Sequence, residues 1–391
     1  MQLVLGIGTG LLAGFTIVIA QYYGKQESDE RFKEIIGNVY AFPVLLALGF
    51  SVILLICTKP VLAIVKTPAE CYSEALWYYV IMVIGMVFAY GYNSIAAVLR
   101  AMGDSTRPMI FVVISSVINI ILDIIFIAVF QMGAAGAALA TIIAQLISFL
   151  ISIWYLHRIN FSVPYRFSSF KVSGYILKEL LKVGIPASVQ ESIINFSLIA
   201  VIAAANGFGV YAYAAVGIAS KVNVIGVLPC IAFCEALAII VGQSIGAGKH
   251  DRAIETAKFD FFITAIYGLV MTSIFFFFSR EVLEIFTSDA NTLNIGANYY
   301  KFHGWDYFIV MPLAYMLSGL FTGTGHTLEI AVINTITSVF SRMVLVYVLA
   351  YNFHMGINGI GLAFPISTAF SVLLLLGVLV KGDWKNTVVK L

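Results

Sequence analysis

Pro108–Gln131 reads PMIFVVISSVINIILDIIFIAVFQ, an apolar run that holds a single charge, Asp123. A helix needs about 20 mostly apolar residues to cross a bilayer. The run is continuous rather than alternating, which excludes a strand of a transmembrane barrel. Working outward, ten further stretches of this kind are bounded by charged or turn-forming residues: Met1–Gly24, Ile35–Thr58, Ser73–Leu99, Gly133–Leu156, Val183–Asn206, Tyr213–Gln243, Phe259–Ser279, Trp305–Gly325, Thr327–Tyr351 and Met355–Val380. The composition agrees, with 391 residues, 61% hydrophobic, 11% charged, and a mean hydropathy of +0.99. Soluble domains carry roughly 25% charged residues, so a cytosolic enzyme or a nucleic-acid module is excluded. Four cysteines without metal-type spacing exclude a disulfide scaffold or a zinc site as the organising principle. The sequence predicts an all-α polytopic membrane protein.

Lys and Arg concentrate on the cytoplasmic side of membrane proteins. Placing the loop with Lys25, Arg31 and Lys33 inside puts sixteen of the 22 Lys and Arg in cytoplasmic segments. Only Lys59, Lys66, Arg280 and Lys301 then fall outside, while Lys221 and Arg342 lie within spans. The carboxyl end is expected in the cytoplasm.

The chain repeats itself at a shift of 222 positions, calculated as 242 − 20 and 321 − 99. Ala20-Gln21-Tyr22-Tyr23-Gly24 falls on Gly242-Gln243-Ser244-Ile245-Gly246, and Leu99-Arg100-Ala101-Met102-Gly103 on Phe321-Thr322-Gly323-Thr324-Gly325. One step further, Met132-Gly133-Ala134-Ala135-Gly136 meets Met355-Gly356-Ile357-Asn358-Gly359. The pairing predicts two pseudo-symmetric bundles: an amino lobe of five spans at 1–157, a cytoplasmic linker at 158–182, and a carboxyl lobe of six spans with a short tail at 183–391. An even number per unit relates the halves by an axis along the membrane normal. Val183–Asn206 has no partner in the amino lobe, so the intact unit is expected to hold six helices and this chain to lack the first. No basic signal-peptide region precedes the opening span.

These residues resemble the multidrug and toxic compound extrusion (MATE) family. The resemblance runs over essentially the whole chain. It rests on the paired Ala20-Gln21…Gly24 and Gly242-Gln243…Gly246-Ala247-Gly248 segments, Arg100-Ala101-Met102-Gly103-Asp104, Asn119-Ile120-Ile121-Leu122-Asp123, Gly184-Ile185-Pro186 and the Met-Gly-x-x-Gly turns. It implies two six-helix bundles around a V-shaped cavity in a prokaryotic cell membrane. It also implies export of amphipathic, mainly cationic compounds in exchange for protons or sodium ions. No phosphate loop for ATP is present, and no cofactor beyond the coupling ion is implied. The expected partners are those small molecules and the lipid bilayer, not nucleic acid, with a monomer as the working unit. The competing readings are a lipid-linked oligosaccharide flippase of the same superfamily and a non-transporting remnant.

An ionisable group at mid-membrane costs about 2.5–3.5 kcal/mol on insertion scales, so each one calls for a reason. Asp123 has Asn119 one turn away. Burial favours the protonated carboxyl, and an amide can hydrogen-bond either form. The plainer account is interhelical packing. The resemblance favours function, because Asn-x-x-x-Asp matches the protonation site of proton-coupled members, which add an Asp on the first helix. Glu191 and Asn195 repeat the spacing past Pro186 and serve either cation coupling, drug contact or packing. Sodium-coupled relatives also use an acid in the span Trp305–Gly325; the aligned residue here is Met311, and the nearest acid is Asp306. Glu235 has Glu191, Lys221 or a substrate cation as candidate partners. Arg342 falls one residue past Ser341, the repeat partner of Asn119, and a salt bridge to Glu235 or Glu191 is its expected role. Gly6, Gly10 and Gly14 make a small-residue stripe for close packing. Arg100 and Asp104 are expected to pair at the cytoplasmic face, and a Cys57–Cys71 disulfide is open. The five histidines form no metal or catalytic pattern.

Overall fold

The computed structural model describes residues 2–26, 29–64, 67–161, 163–382 and 384, with the side chains of all but 2–4, 29, 64, 167 and 195. Among them there is no strand. The chain divides into two units, Met1–Gly184 and Ile185–Leu391. The first holds α1 (Gln2–Lys25), α2 (Asp29–Ile56), the short α3 (Thr58–Ile64), α4 (Tyr72–Ala101), α5 (Thr106–Asp123) and α6 (Gly133–Arg158). α5 runs on as a π-helix, Ile124–Val129. α4 is the hub, packed on α1, α2 and α6. The border between the units falls inside α7 (Gly174–Ala205), just before Pro186.

The second unit continues with α8 (Val210–Gly246), α9 (His250–Phe277), α10 (Ser279–Glu284) and α11 (Ala290–His303). A 3-10 turn, Gly304–Tyr307, leads into α12 (Val310–Thr324). Then come α13 (Thr327–Asn334), a π-helix Thr335–Ser341, α14 (Arg342–Val346), a second π-helix Tyr347–Asn352, and α15 (Ile357–Lys381). Ten helices are long and apolar enough to cross a membrane, and an eleventh span is the pair Ala290–Tyr307 and Val310–Thr324, bent by 44°. The fold is that of an all-α polytopic membrane protein. Lipid-facing apolar side chains remain exposed, as Val113, Ile120 and Ile124 do along α5 and its extension.

The span expected at Trp305–Gly325 starts earlier and is broken. Asn291, Asn294, Asn298, Lys301 and His303 disguise α11 in the sequence, yet Leu293, Gly296, Tyr299, Tyr300 and His303 form one buried face. Asp289 caps it, accepting from the Thr292 amide at 2.7 Å. Hydrogen bonding by the Thr292 side chain, and then by this amide, holds the Asp289 carboxyl below its usual range, so the cap persists until acid protonates it. α9 likewise starts at His250, nine residues ahead of the expected Phe259.

The internal repeat is visible in the backbone. Positive-φ residues pair at a shift of 222, Gln26 (φ 54) with Gly248 (φ 70) and Gly103 (φ 94) with Gly325 (φ 90). Further on they pair at 223, Gln131 (φ 53) with His354 (φ 53) and Gly133 (φ 55) with Gly356 (φ 56). The π-helices Ile124–Val129 and Tyr347–Asn352 also correspond at 223. One residue has therefore been inserted in between, and Thr335–Ser341 is the π-helix there without a counterpart. A helix takes up one extra residue by widening a turn. Arg342 follows that widened turn, so in register it is the counterpart of Asn119, and Ser341 is not.

Close helix approach is selective. A Cβ on Gly14 would meet Gly184 Cα at 2.5 Å, bringing α1 onto the start of α7, whereas one on Gly6 would meet nothing within 4 Å. The small-residue stripe thus packs at Gly14 and not at Gly6. Gly14→Ala is expected to lower the thermal midpoint of the detergent-purified chain, at a cost of about 1–3 kcal/mol from overpacking. Gly6→Ala should leave it unchanged or raise it, since alanine is the better helix former.

Candidate functional site

In the first unit, Ser115, Asn119 and Asp123 follow one another at four-residue spacing on α5. Ser115 donates to the Ala144 carbonyl at 2.8 Å, which turns this face to α6. Asn119 Nδ2 and Asp123 Oδ1 are buried and have no hydrogen-bond partner among the described residues. Asp123 is the last α-helical residue before Ile124–Val129. An acceptor and a donor are thus left open one turn apart, where nothing in lipid can satisfy them.

In the second unit, Glu191 on α7 and Glu235 on α8 lie within electrostatic reach of each other. The side chain of Asn195 is outside the described residues. Tyr315 on α12 interacts with Glu191, Asp306, Cys230 and Cys234, so the phenol stands among the acids and thiols. Asp306 sits in the 3-10 turn before the bend and is 2% exposed. Thr368 on α15 reaches one carboxyl oxygen, and Oδ1 has no partner among the described residues.

Arg342 differs from its expected role. Its Nε donates to Ser367 Oγ at 3.0 Å, its guanidinium lies 4.5 Å from the Phe364 ring centroid, and the carboxylate acting on it is Asp306 rather than Glu235 or Glu191. Asp104 also takes a different partner, pairing with Arg107 at 3.6 Å and accepting from its backbone N–H at 3.1 Å. Cys57 and Cys71 are free thiols.

Four polar residues of this unit escaped the sequence reading. His303, fully buried, donates from Nε2 to Asn223 Oδ1 at 3.1 Å, and Tyr307 donates to the same oxygen. The fourth is Asp260, 6% exposed, with Oδ2 unpartnered among the described residues. Asp260 is the second residue of the expected span Phe259–Ser279, beside its polar start. The repeat held the signal, since Asp260 falls on Asn38 at a shift of 222.

The chain matches the family model MatE over residues 1–125 and 186–348. It is 29% identical over 383 residues to the probable multidrug resistance protein YoeA of Bacillus subtilis, covering 96% of this chain and 82% of that one. It is 30% identical over 377 residues to the probable multidrug resistance protein YpnP of the same organism, covering 95% and 81%. Among solved structures, a MATE protein in the bent conformation superposes with a TM-score of 0.91 at 19% identity, covering 98% of this chain and 86% of that one. A MOP superfamily transporter from Pyrococcus furiosus, described as having a binding pocket of reverse polarity, gives 0.88 at 20%, with the same coverage.

Removing one partner of a buried charge pair costs about 3–5 kcal/mol because the other charge is left uncompensated. Arg342→Met is therefore expected to lower the thermal midpoint sharply, and Arg342→Met with Asp306→Asn to recover much of it. A double variant no more stable than the single would show that Asp306 is not the charge Arg342 compensates.

Proposed function

The chain belongs to the MatE family, and from that premise we propose that it is a secondary antiporter exporting amphipathic, mainly cationic compounds in exchange for protons. The names carried by its relatives YoeA and YpnP support drug efflux. The observation that carries the coupling half is the unpartnered pair Asn119 Nδ2 and Asp123 Oδ1. A carboxylate held there without a cation pays a desolvation cost, which a bound proton removes. The amide next to it can donate to the charged form or accept from the neutral one.

Exchange then follows from linkage. A proton that binds one arrangement of the chain better than another shifts the equilibrium between them by its differential affinity. A cationic substrate attracted to the carboxylate competes with that proton, so each expels the other. Arg342 does not argue for an anionic, lipid-linked substrate, because Ser367, Phe364 and Asp306 already engage its guanidinium. The excess of Lys and Arg in the loops assigned inside supports a cytoplasmic carboxyl end and release of substrate on the opposite face.

Pump-deficient bacteria expressing the chain are expected to expel ethidium, and a protonophore should stop them. Asp123→Asn should insert normally yet lose efflux by about tenfold or more, within the range of ordinary coupling energies. Full protonophore-sensitive efflux by that variant would remove Asp123 from the coupling role.

A further inference from the structure

Asp260 stands ten residues, about 15 Å, into α9 from its start at His250, at the beginning of the apolar part of the helix, two residues past Lys258. Among the described residues its buried Oδ2 has no partner, and neither has Asp306 Oδ1 in the turn that packs on α9. The Cys230 thiol lies within electrostatic reach of both carboxylates, and Cys234 within reach of Asp260 and Glu235. From α12, Tyr315 reaches the two thiols. α11 brings His303 and Tyr299 to Arg342 instead. Arg342 acts on Asp306, and no cation pairs with Asp260 among the described residues.

The repeat supplies a control within the same molecule. Asn38 occupies the corresponding place on α2 and is fully buried. Its amide is satisfied at both ends, with Oδ1 accepting from the Ser173 N–H at 2.9 Å and Nδ2 donating to the Glu34 carbonyl at 2.8 Å. A neutral amide therefore suits this place in the fold. In the second unit the same place carries a carboxylate with an open oxygen and no cation. Packing alone gives no reason for that charge, whereas binding a proton does.

We propose that Asp260 is a second proton-binding carboxylate, in the second unit, flanking Cys230 together with Asp306. The step is simple in balance: a hydronium ion gives its proton to the carboxylate, leaving water and a neutral carboxyl, and the reverse returns the proton to water. Its place near the His250 end of α9, which the basic loops assign to the cytoplasm, makes it the carboxylate on the inward branch of the proton route. The transport role rests on the antiporter reading, and the proton-binding itself does not.

The test is pH-difference infrared spectroscopy of the purified full chain in lipid, between about pH 5 and pH 8, where buried carboxyls exchange protons. The wild-type spectrum should contain a protonated-carboxyl component that Asp260→Asn removes and Asp260→Glu keeps at a shifted position. Asp260→Asn should hold its thermal midpoint, because Asn38 shows that an amide fits. In everted vesicles it should slow proton-driven ethidium transport by about tenfold and flatten its dependence on the pH of the cytoplasmic face. A spectrum of Asp260→Asn that superposes on the wild type would overturn the proposal. So would an asparagine variant that unfolds while the glutamate variant folds, since the charge would then be structural. Ethidium transport unaffected by Asp123→Asn would reject the first coupling site while leaving the Asp260 component in the spectrum, so the two failures are distinct.

Discussion

Inside hydrocarbon each peptide N–H and C=O must find its partner within its own helix, and the rest of this structure follows from that constraint. It explains why the described residues are mostly helical and why departures from the α-helix are few. Three departures stand beside an ionisable side chain. The π-helix Ile124–Val129 follows Asp123, the π-helix Thr335–Ser341 precedes Arg342, and the 3-10 turn Gly304–Tyr307 contains Asp306. A widened or broken ladder is tolerated at membrane depth only where protein or polar groups surround it. Asp123, Arg342 and Asp306 thus share their places with imperfect backbone, whereas Glu191, Glu235 and Asp260 lie in regular α-helix.

The two units use one plan with unequal chemistry. α4 crosses unbroken in the first, while its counterpart in the second is split into α11 and α12. Asp306, in the split, corresponds to the exposed Ile84 on α4. Asn119 corresponds to Arg342 once the inserted residue is counted, and Asn38 to Asp260. The first unit therefore carries one carboxylate beside one amide. The second carries Glu191, Glu235, Asp260 and Asp306, of which Asp306 acts on the buried guanidinium of Arg342. An excess of acid inside the membrane is costly unless protons or cations relieve it, which suits a unit that binds them.

The spans and the family were legible because both rest on long signals: continuous hydropathy, and several short motifs in a fixed order. The gaps have physical causes. α11 was invisible because its lipid-averse outer face is rich in Asn and Lys, and hydropathy averages over faces that the fold separates. Asp260 was hidden by a boundary error, since a helix may begin in polar water and carry an acid ten residues inward. Arg342 was placed beside the right repeat partner but one residue off, because a sequence shift locates an insertion only loosely, whereas a π-helix marks it. Its partner could not be read at all, because Asp306 becomes its neighbour only through the turn between α11 and α12. The Asn119–Asp123 pair was legible because both residues lie on one helix.

A continuous ladder resists bending, so a proton bound on an unbroken helix, as at Asp260 on α9, acts on the backbone through the turn Gly304–Tyr307 that packs on that helix. Next to Ile124–Val129, or in the turn at Asp306, the same change acts where the backbone hydrogen bonds are already rearranged and a second arrangement costs least. Packed elements of this kind switch between discrete states rather than deform gradually. Differential proton affinity then needs to be only a few kcal/mol to redistribute them. The coincidence of ionisable residues with non-α backbone is therefore what proton coupling would require of helices that must otherwise stay closed to lipid.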